Sequence, residues 1–145
     1  MSWNEYGLDR AAQDLVLNHR SVIKESHKMR EAVAYGLERF WGEHLRYKDK
    51  KKEEDRQKSA YWKATWDELE KILGKAGITL PNDDVKLENT RQIQSMAKKL
   101  WGELPLDDRG TTLTLDDRRV ALAVLTQLCD CLVWWTQRYK EEKES

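Results

Sequence analysis

Apolar side chains recur at Leu8, Ala12, Leu15, Val22, Met29, Val33, Leu37 and Phe40, and the face continues to His44. Steps of three, four or seven residues return to one side of a 3.6-residue helix, so this spacing commits the first third of the chain to amphipathic helix and leaves no place for an alternating strand. Proline, which would break such a pattern, first occurs at Pro81. The periodicity predicts one long first helix, capped by Asn4 or Asp9 and open to a break near Ser26 or Gly36.

The same pattern resumes at Tyr61, Trp62, Thr65, Trp66, Leu69, Ile72, Leu73 and Ala76 and stops at Gly77, a left-handed cap followed by Ile78 and sealed by Pro81. Asn89 or Thr90 opens a shorter helix with Ile93, Met96, Ala97, Leu100 and Trp101 on its inner side, ended by Gly102 and Pro105. Leu106 to Thr112 reads as a loop. Thr114 and Asp117 then form a capping box that starts the last helix near Leu115. Leu115, Val120, Leu122, Val124, Leu125, Leu128, Cys129, Leu132, Trp135 and Tyr139 make that helix apolar on more than one face, which predicts the central, most buried helix, with Lys140 to Ser145 fraying. No segment alternates with period two and no internal repeat occurs. The fold class is all-α, a single-domain helical bundle of four to six helices spanning residues 1–145.

Between Tyr47 and Ala60 no apolar residue occurs, so residues 48–58 read as a charged, solvent-exposed segment, a helical extension or a loop. Arg46 to Lys63 carries a local excess of four basic charges within a chain whose 26 Lys and Arg equal its 26 Asp and Glu. Without a net field, any polyanion must be met by a local basic stripe. Cys129 and Cys131 lie two apart on a helix and point to different sides, which denies them disulfide geometry and makes both small buried apolar residues. The N-terminus lacks the basic-then-apolar order of a signal peptide. No apolar run reads as the roughly 20 residues that span a bilayer, so the expectation is a cytoplasmic protein without membrane contact.

Chemistry-bearing signatures are sparse. Asp83-Asp84, Asp107-Asp108 and Asp116-Asp117 fall in loops or first turns, where carboxylates satisfy free amides. No metalloprotease, phosphate-loop or nucleophile-elbow motif occurs, and three histidines with two cysteines give no ligand set, so neither cofactor nor metal is expected. Arg39-Phe40-Trp41-Gly42-Glu43-His44 fits Arg-x4-His and resembles the motif of the HEPN helical ribonucleases, in which Arg and His face a dimer cleft and act on RNA; Phe40 stands where a polar residue is common. Residues of another kind suit RNA without catalysis. Phosphates need Arg or Lys, and exposed aromatic rings stack on unpaired bases. Arg46, Tyr47, Lys48, Lys50, Tyr61, Trp62 and Lys63 interleave the two, as do Arg138 and Tyr139. Seven Trp and five Tyr exceed what one small core buries, so indoles such as Trp3, Trp41 and Trp134 are expected at a partner surface.

Asp9-Arg10-Ala11-Ala12 opens the first helix, and Thr126 leads through Leu128 into Leu132-Val133-Trp134-Trp135-Thr136-Gln137-Arg138 at the other end. These end motifs resemble the small helical subunit of type III CRISPR effector complexes, the Cmr small-subunit family, whose members begin with an Arg-Ala helix and close on Trp-Leu-x-Arg; Thr136 stands here for the Leu. The resemblance covers about a third of the chain and has no counterpart for residues 48–58 or the Trp62/Trp66 pair. It implies a non-catalytic bundle that stacks with copies of itself and other subunits and holds guide and target RNA by the phosphate backbone. Arg10 and Arg138 carry over from the matching motifs as RNA contacts. Charge and exposure alone add Arg20, Lys24, Lys28, Arg46, Lys50 and Lys63. A helical protein adaptor and a HEPN-like ribonuclease using Arg39 and His44 are the alternatives.

Overall fold

Among the described residues six α-helices account for the periodic segments: α1 Leu8–Asn18, α2 Glu25–Ala32, α3 Leu37–Tyr47, α4 Glu53–Lys75, α5 Thr90–Leu100 and α6 Leu115–Glu144. The computed structural model describes residues 7–144, with side chains described as far as Lys140. No strand occurs among the described residues, and the fold is the all-α bundle of four to six helices read from the sequence.

The long first helix is in fact three. α1 ends at His19, whose backbone leaves the helical region (φ −131°), and a 3-10 turn over Arg20–Val22 follows. Burial of Val22 and Ile23 in that turn compensates for the interrupted helix and moves the break upstream of Ser26. The second break lies at Gly36, whose φ of 99° few other residues adopt. Gly7, not Asp9, is the N-cap residue of α1, and Asn4 lies outside the described residues.

Later boundaries follow their caps. Asn89 accepts the Gln92 amide at 3.0 Å, and Thr114 Oγ1 accepts the Asp117 amide at 3.0 Å. Gly77 takes φ 81° after α4 while the Ile78 amide donates back to Leu73 at 3.0 Å. Residues 48–58 divide: the second half forms the first turns of α4, and Lys48 and Lys58 are half-buried. α6 stays helical through Glu144 instead of fraying from Lys140.

α4 shares the centre with α6. Tyr61, Trp62, Trp66, Leu69, Ile72 and Leu73 from α4 meet Val124, Leu125, Leu128 and Leu132 from α6 in one core. α6 buries one side only, leaving Leu115, Val120 and Trp134 exposed. Leu115–Lys140 is also long and apolar enough to cross a bilayer by length and composition, unlike the expectation, and 39% of its 18-residue apolar window is buried inside the protein. Trp101, expected on the inner side of α5, sits just past its end and is exposed.

Side-chain pairs fix the helix directions. Ser59 reaches the His44 carbonyl and Phe40 lies against Trp62 and Trp66, so α3 and α4 run antiparallel. Thr136 meets Ser26 while Arg30 meets Asp130, so α2 and α6 also run antiparallel. Gln13 bonds the Tyr139 hydroxyl, and α1 packs along the C-terminal half of α6.

Candidate nucleic-acid interface

The break after α1 builds the principal groove. With Val22 and Ile23 turned inward, Arg20, Ser21 and Lys24 are left on its outside, facing the first turns of α4; Ser21 Oγ donates to Gln57 Oε1 across that gap at 2.8 Å. The resulting groove, about 660 Å³, is lined by Arg20, Lys24 and Lys28 together with Lys58 from α4 and Lys140 from α6. Against these five cations stand Glu25 and Glu54. Glu25 is 3% exposed and fully engaged: it accepts the Trp62 indole N–H at 3.1 Å and pairs with Lys28 at 3.4 Å. That carboxylate, with a smaller contribution from Tyr47, holds the Lys28 ammonium above the ordinary lysine range. Glu54 pairs with Lys58 at 3.6 Å.

Lys28 also lines a neighbouring cavity of about 390 Å³ with Arg39, Arg46, Glu31 and Glu43, so the basic face continues from the groove onto α3. Arg46 pairs with Glu43 at 3.5 Å there. Four of the eight sequence-predicted RNA contacts, Arg20, Lys24, Lys28 and Arg46, thus share one face. The other four are scattered. Arg10 is exposed on α1, and Lys50 is exposed in the α3–α4 connection. Lys63 is half-buried and held by Asp67 at 2.5 Å and Asn82 at 2.9 Å. Arg138 lies 4.3 Å over the Trp134 ring on α6. Lys58 and Lys140 were not singled out by sequence; only the packing of α4 against the 3-10 turn brings them to the groove.

The aromatic residues behave differently from expectation. Tyr61 and Trp62 are buried, because they fall on the α4 face that meets α2 and α3, and neither is free to stack on a base. Burial is also what pushes the Tyr61 hydroxyl far above its ordinary range. Trp41 is buried as well, at 2% exposure, so it is not a partner-facing indole, while Trp134 is 48% exposed and Trp3 lies outside the described residues. Two tyrosine rings beside the groove have cations over them: Arg20 over Tyr139 at 5.7 Å and Lys58 over Tyr47 at 5.5 Å. The groove offers charge to a ligand and leaves few ring faces.

The Arg-x4-His pair does not converge within one chain. Arg39 lines the cavity just described, over Tyr35 at 5.6 Å. His44 lines a different cavity of about 320 Å³ with Lys48, Lys63 and Asp84. His44 is 5% exposed, and its Nδ1–H donates to the Trp41 carbonyl at 2.5 Å, which leaves Nε2 without a proton in the neutral ring. Burial first, then the nearby Lys63 and Lys48 ammoniums, depress its pKa below the usual histidine value.

Of the acidic pairs, Asp107 accepts the Arg109 and Thr111 amides and Asp117 completes the capping box, as expected. Asp83 and Asp84 serve ion pairs instead, with Lys99 at 2.7 Å and Lys48 at 3.8 Å. Cys129 and Cys131 are both free; Cys129 is fully buried and Cys131 half-buried. Among the described residues no cluster of His, Cys, Asp and Glu could hold a metal ion. Comparison with protein-family models, with curated proteins and with solved structures finds no match to this chain.

Proposed function

We propose that this chain is a non-catalytic subunit that holds RNA by its phosphodiester backbone within a larger ribonucleoprotein, the role of the CRISPR small-subunit family that its end motifs resemble. The observation that carries this reading is the groove of Arg20, Lys24, Lys28, Lys58 and Lys140, a concentration of positive charge in a chain of zero net charge. Phosphate contacts need such charge and no particular base. The cations lying over Tyr139 and Tyr47 favour phosphate reading over base stacking.

The test is fluorescence anisotropy with a labelled single-stranded RNA of about 30 nucleotides across a salt series, a length well above the 4–16 nucleotides typical of a single-strand site. Each phosphate contact contributes about −0.7 to the slope of log affinity against log salt for a single strand. Replacing both exposed Lys24 and Lys28 by glutamate should weaken binding at least tenfold and flatten the slope by about 1.4, two contacts' worth. Arg10 and Arg138 substitutions test the contacts that the resemblance implies. Binding whose slope is unchanged in the Lys24/Lys28 variant would remove the groove from the reading. No binding at low salt would favour a protein adaptor, the reading that half-exposed Trp134 and Trp101 support. A HEPN-like activity needs a second copy to bring Arg39 of one chain toward His44 of the other, and RNA cleavage lost in both Arg39→Ala and His44→Ala would reveal it.

A further inference from the structure

The geometry points to a second binding site: a depression along the C-terminal half of α6 that receives the lysine or arginine side chain of a protein partner. It has a volume of about 430 Å³ and is lined by Asp9, Asp130, Cys131, Trp134 and Trp135. Its walls therefore carry two carboxylates, two indoles and a thiol, with Arg30 and Arg138 touching Asp130 and Trp134 from outside the lining. The Trp134 and Trp135 rings stand at 81° with centroids 4.7 Å apart, forming a corner, and Trp134 is half exposed beside it. Indole faces attract cations, and this molecule already shows it at this spot, where the Arg138 guanidinium lies 4.3 Å over Trp134.

Three further observations select the chemistry of the occupant. Arg30 Nε donates to Oδ1 of Asp130 at 2.6 Å, yet the Asp130 side chain remains 51% exposed, so it can still accept from an incoming cation. The Cys131 thiol is pushed up to about 11, by burial first and then by the charge and hydrogen bond of Asp9 and the charge of Asp130, so both carboxylates act on this wall. The Trp135 indole N–H is buried and meets no acceptor among the described residues. A buried donor without a partner is costly, so a small turn of the Trp135 ring that opens it to a main-chain carbonyl beside the incoming side chain would satisfy it. A phosphate would be repelled by the same two carboxylates, so the site is distinct in chemistry from the groove and does not rest on the RNA reading.

Nitrogen-15 NMR of the full chain reads the site through its seven indole N–H signals. The probes are acetyl-Gly-Gly-Arg-Gly-Gly-amide and its lysine counterpart, each compared with the same peptide carrying norleucine. With either cationic peptide, the Trp135 indole proton should move downfield and the Trp134 signal should shift, the two being assigned with Trp134→Phe and Trp135→Phe. Asp9→Asn combined with Asp130→Asn should weaken the response at least threefold while the remaining spectrum stays dispersed; Asp9→Asn alone should weaken it less and keeps the test open if the double variant unfolds. Equal shifts with the norleucine peptide would make this an apolar contact and overturn the proposal. Shifts absent with all peptides would overturn it too, as would indole signals that broaden with protein concentration alone and mark a second copy as the occupant.

Discussion

His44 shows how one buried ring can make a whole protein sensitive to pH. Its folded pKa is depressed, mainly by burial, so the unfolded chain binds a proton more readily than the folded one. Stability is unaffected by this group above the unfolded value of about 6.5 and falls as pH drops below it, reaching its full loss beneath the folded pKa. Urea midpoints of the native chain should therefore fall from pH 7.5 to pH 5 more steeply than those of His44→Gln, whose amide can still donate to the Trp41 carbonyl; equal slopes would exclude the mechanism. Glu25 offers a second residue-scale test. Trp62→Phe keeps the ring packing but removes the N–H that reaches this carboxylate, and leaving it short of a donor should cost about 1–3 kcal/mol in chemical denaturation. In the sequence Trp62 holds two places, in the apolar pattern of its helix and, as an exposed stacker, among the basic residues ending at Lys63, and burial bears out the first. The apolar phase of α4 turns it inward with Trp66, Leu69 and Leu73, while its bond to Glu25 of α2 comes from a segment 37 residues away.

Helix ends tell the opposite story. The caps at Asn89, Thr114 and Gly77 were legible because each rests on bonds within four or five residues. Removing the Thr114 hydroxyl with Thr114→Ala should cost about 1 kcal/mol of thermal or chemical stability, the usual worth of an N-cap. Two glycines separate backbone strain from crowding. Gly77 and Gly102 have φ of 81° and 77°, but a Cβ on Gly77 meets nothing within 4 Å, whereas one on Gly102 would lie 2.6 Å from the Leu113 carbonyl oxygen. Gly77→Ala should cost about 1–2 kcal/mol for the left-handed backbone alone, and Gly102→Ala distinctly more. The interruption at His19 was less legible than either. It depends on Val22 and Ile23 finding a place in the core, and the apolar steps of three, four and seven run through it unbroken.

Over the whole molecule, zero net charge conceals a division. Five cations gather at one groove, while two carboxylates and two indoles line a depression farther back along α6. The fold class was readable because periodicity alone dictates it. The groove was readable in part: Arg20, Lys24 and Lys28 lie four apart in sequence, while Lys58 and Lys140 arrive from distant helices. Ser26, Tyr61 and Thr136 join α2, α4 and α6 through buried hydroxyls, with contacts of 2.5 Å and 2.8 Å, at the centre of this assembly. Next to them lies Cys129, fully buried, its thiol pushed far up by that burial, and two residues on is the half-buried Cys131. Since thiolates react and thiols do not, the two sulfurs form a built-in pair of clocks. A thiol-specific dye should mark Cys131 through local breathing of the α1–α6 seam and Cys129 only when the entire bundle opens, so the ratio of the two labelling rates separates local loosening from global unfolding without any added probe.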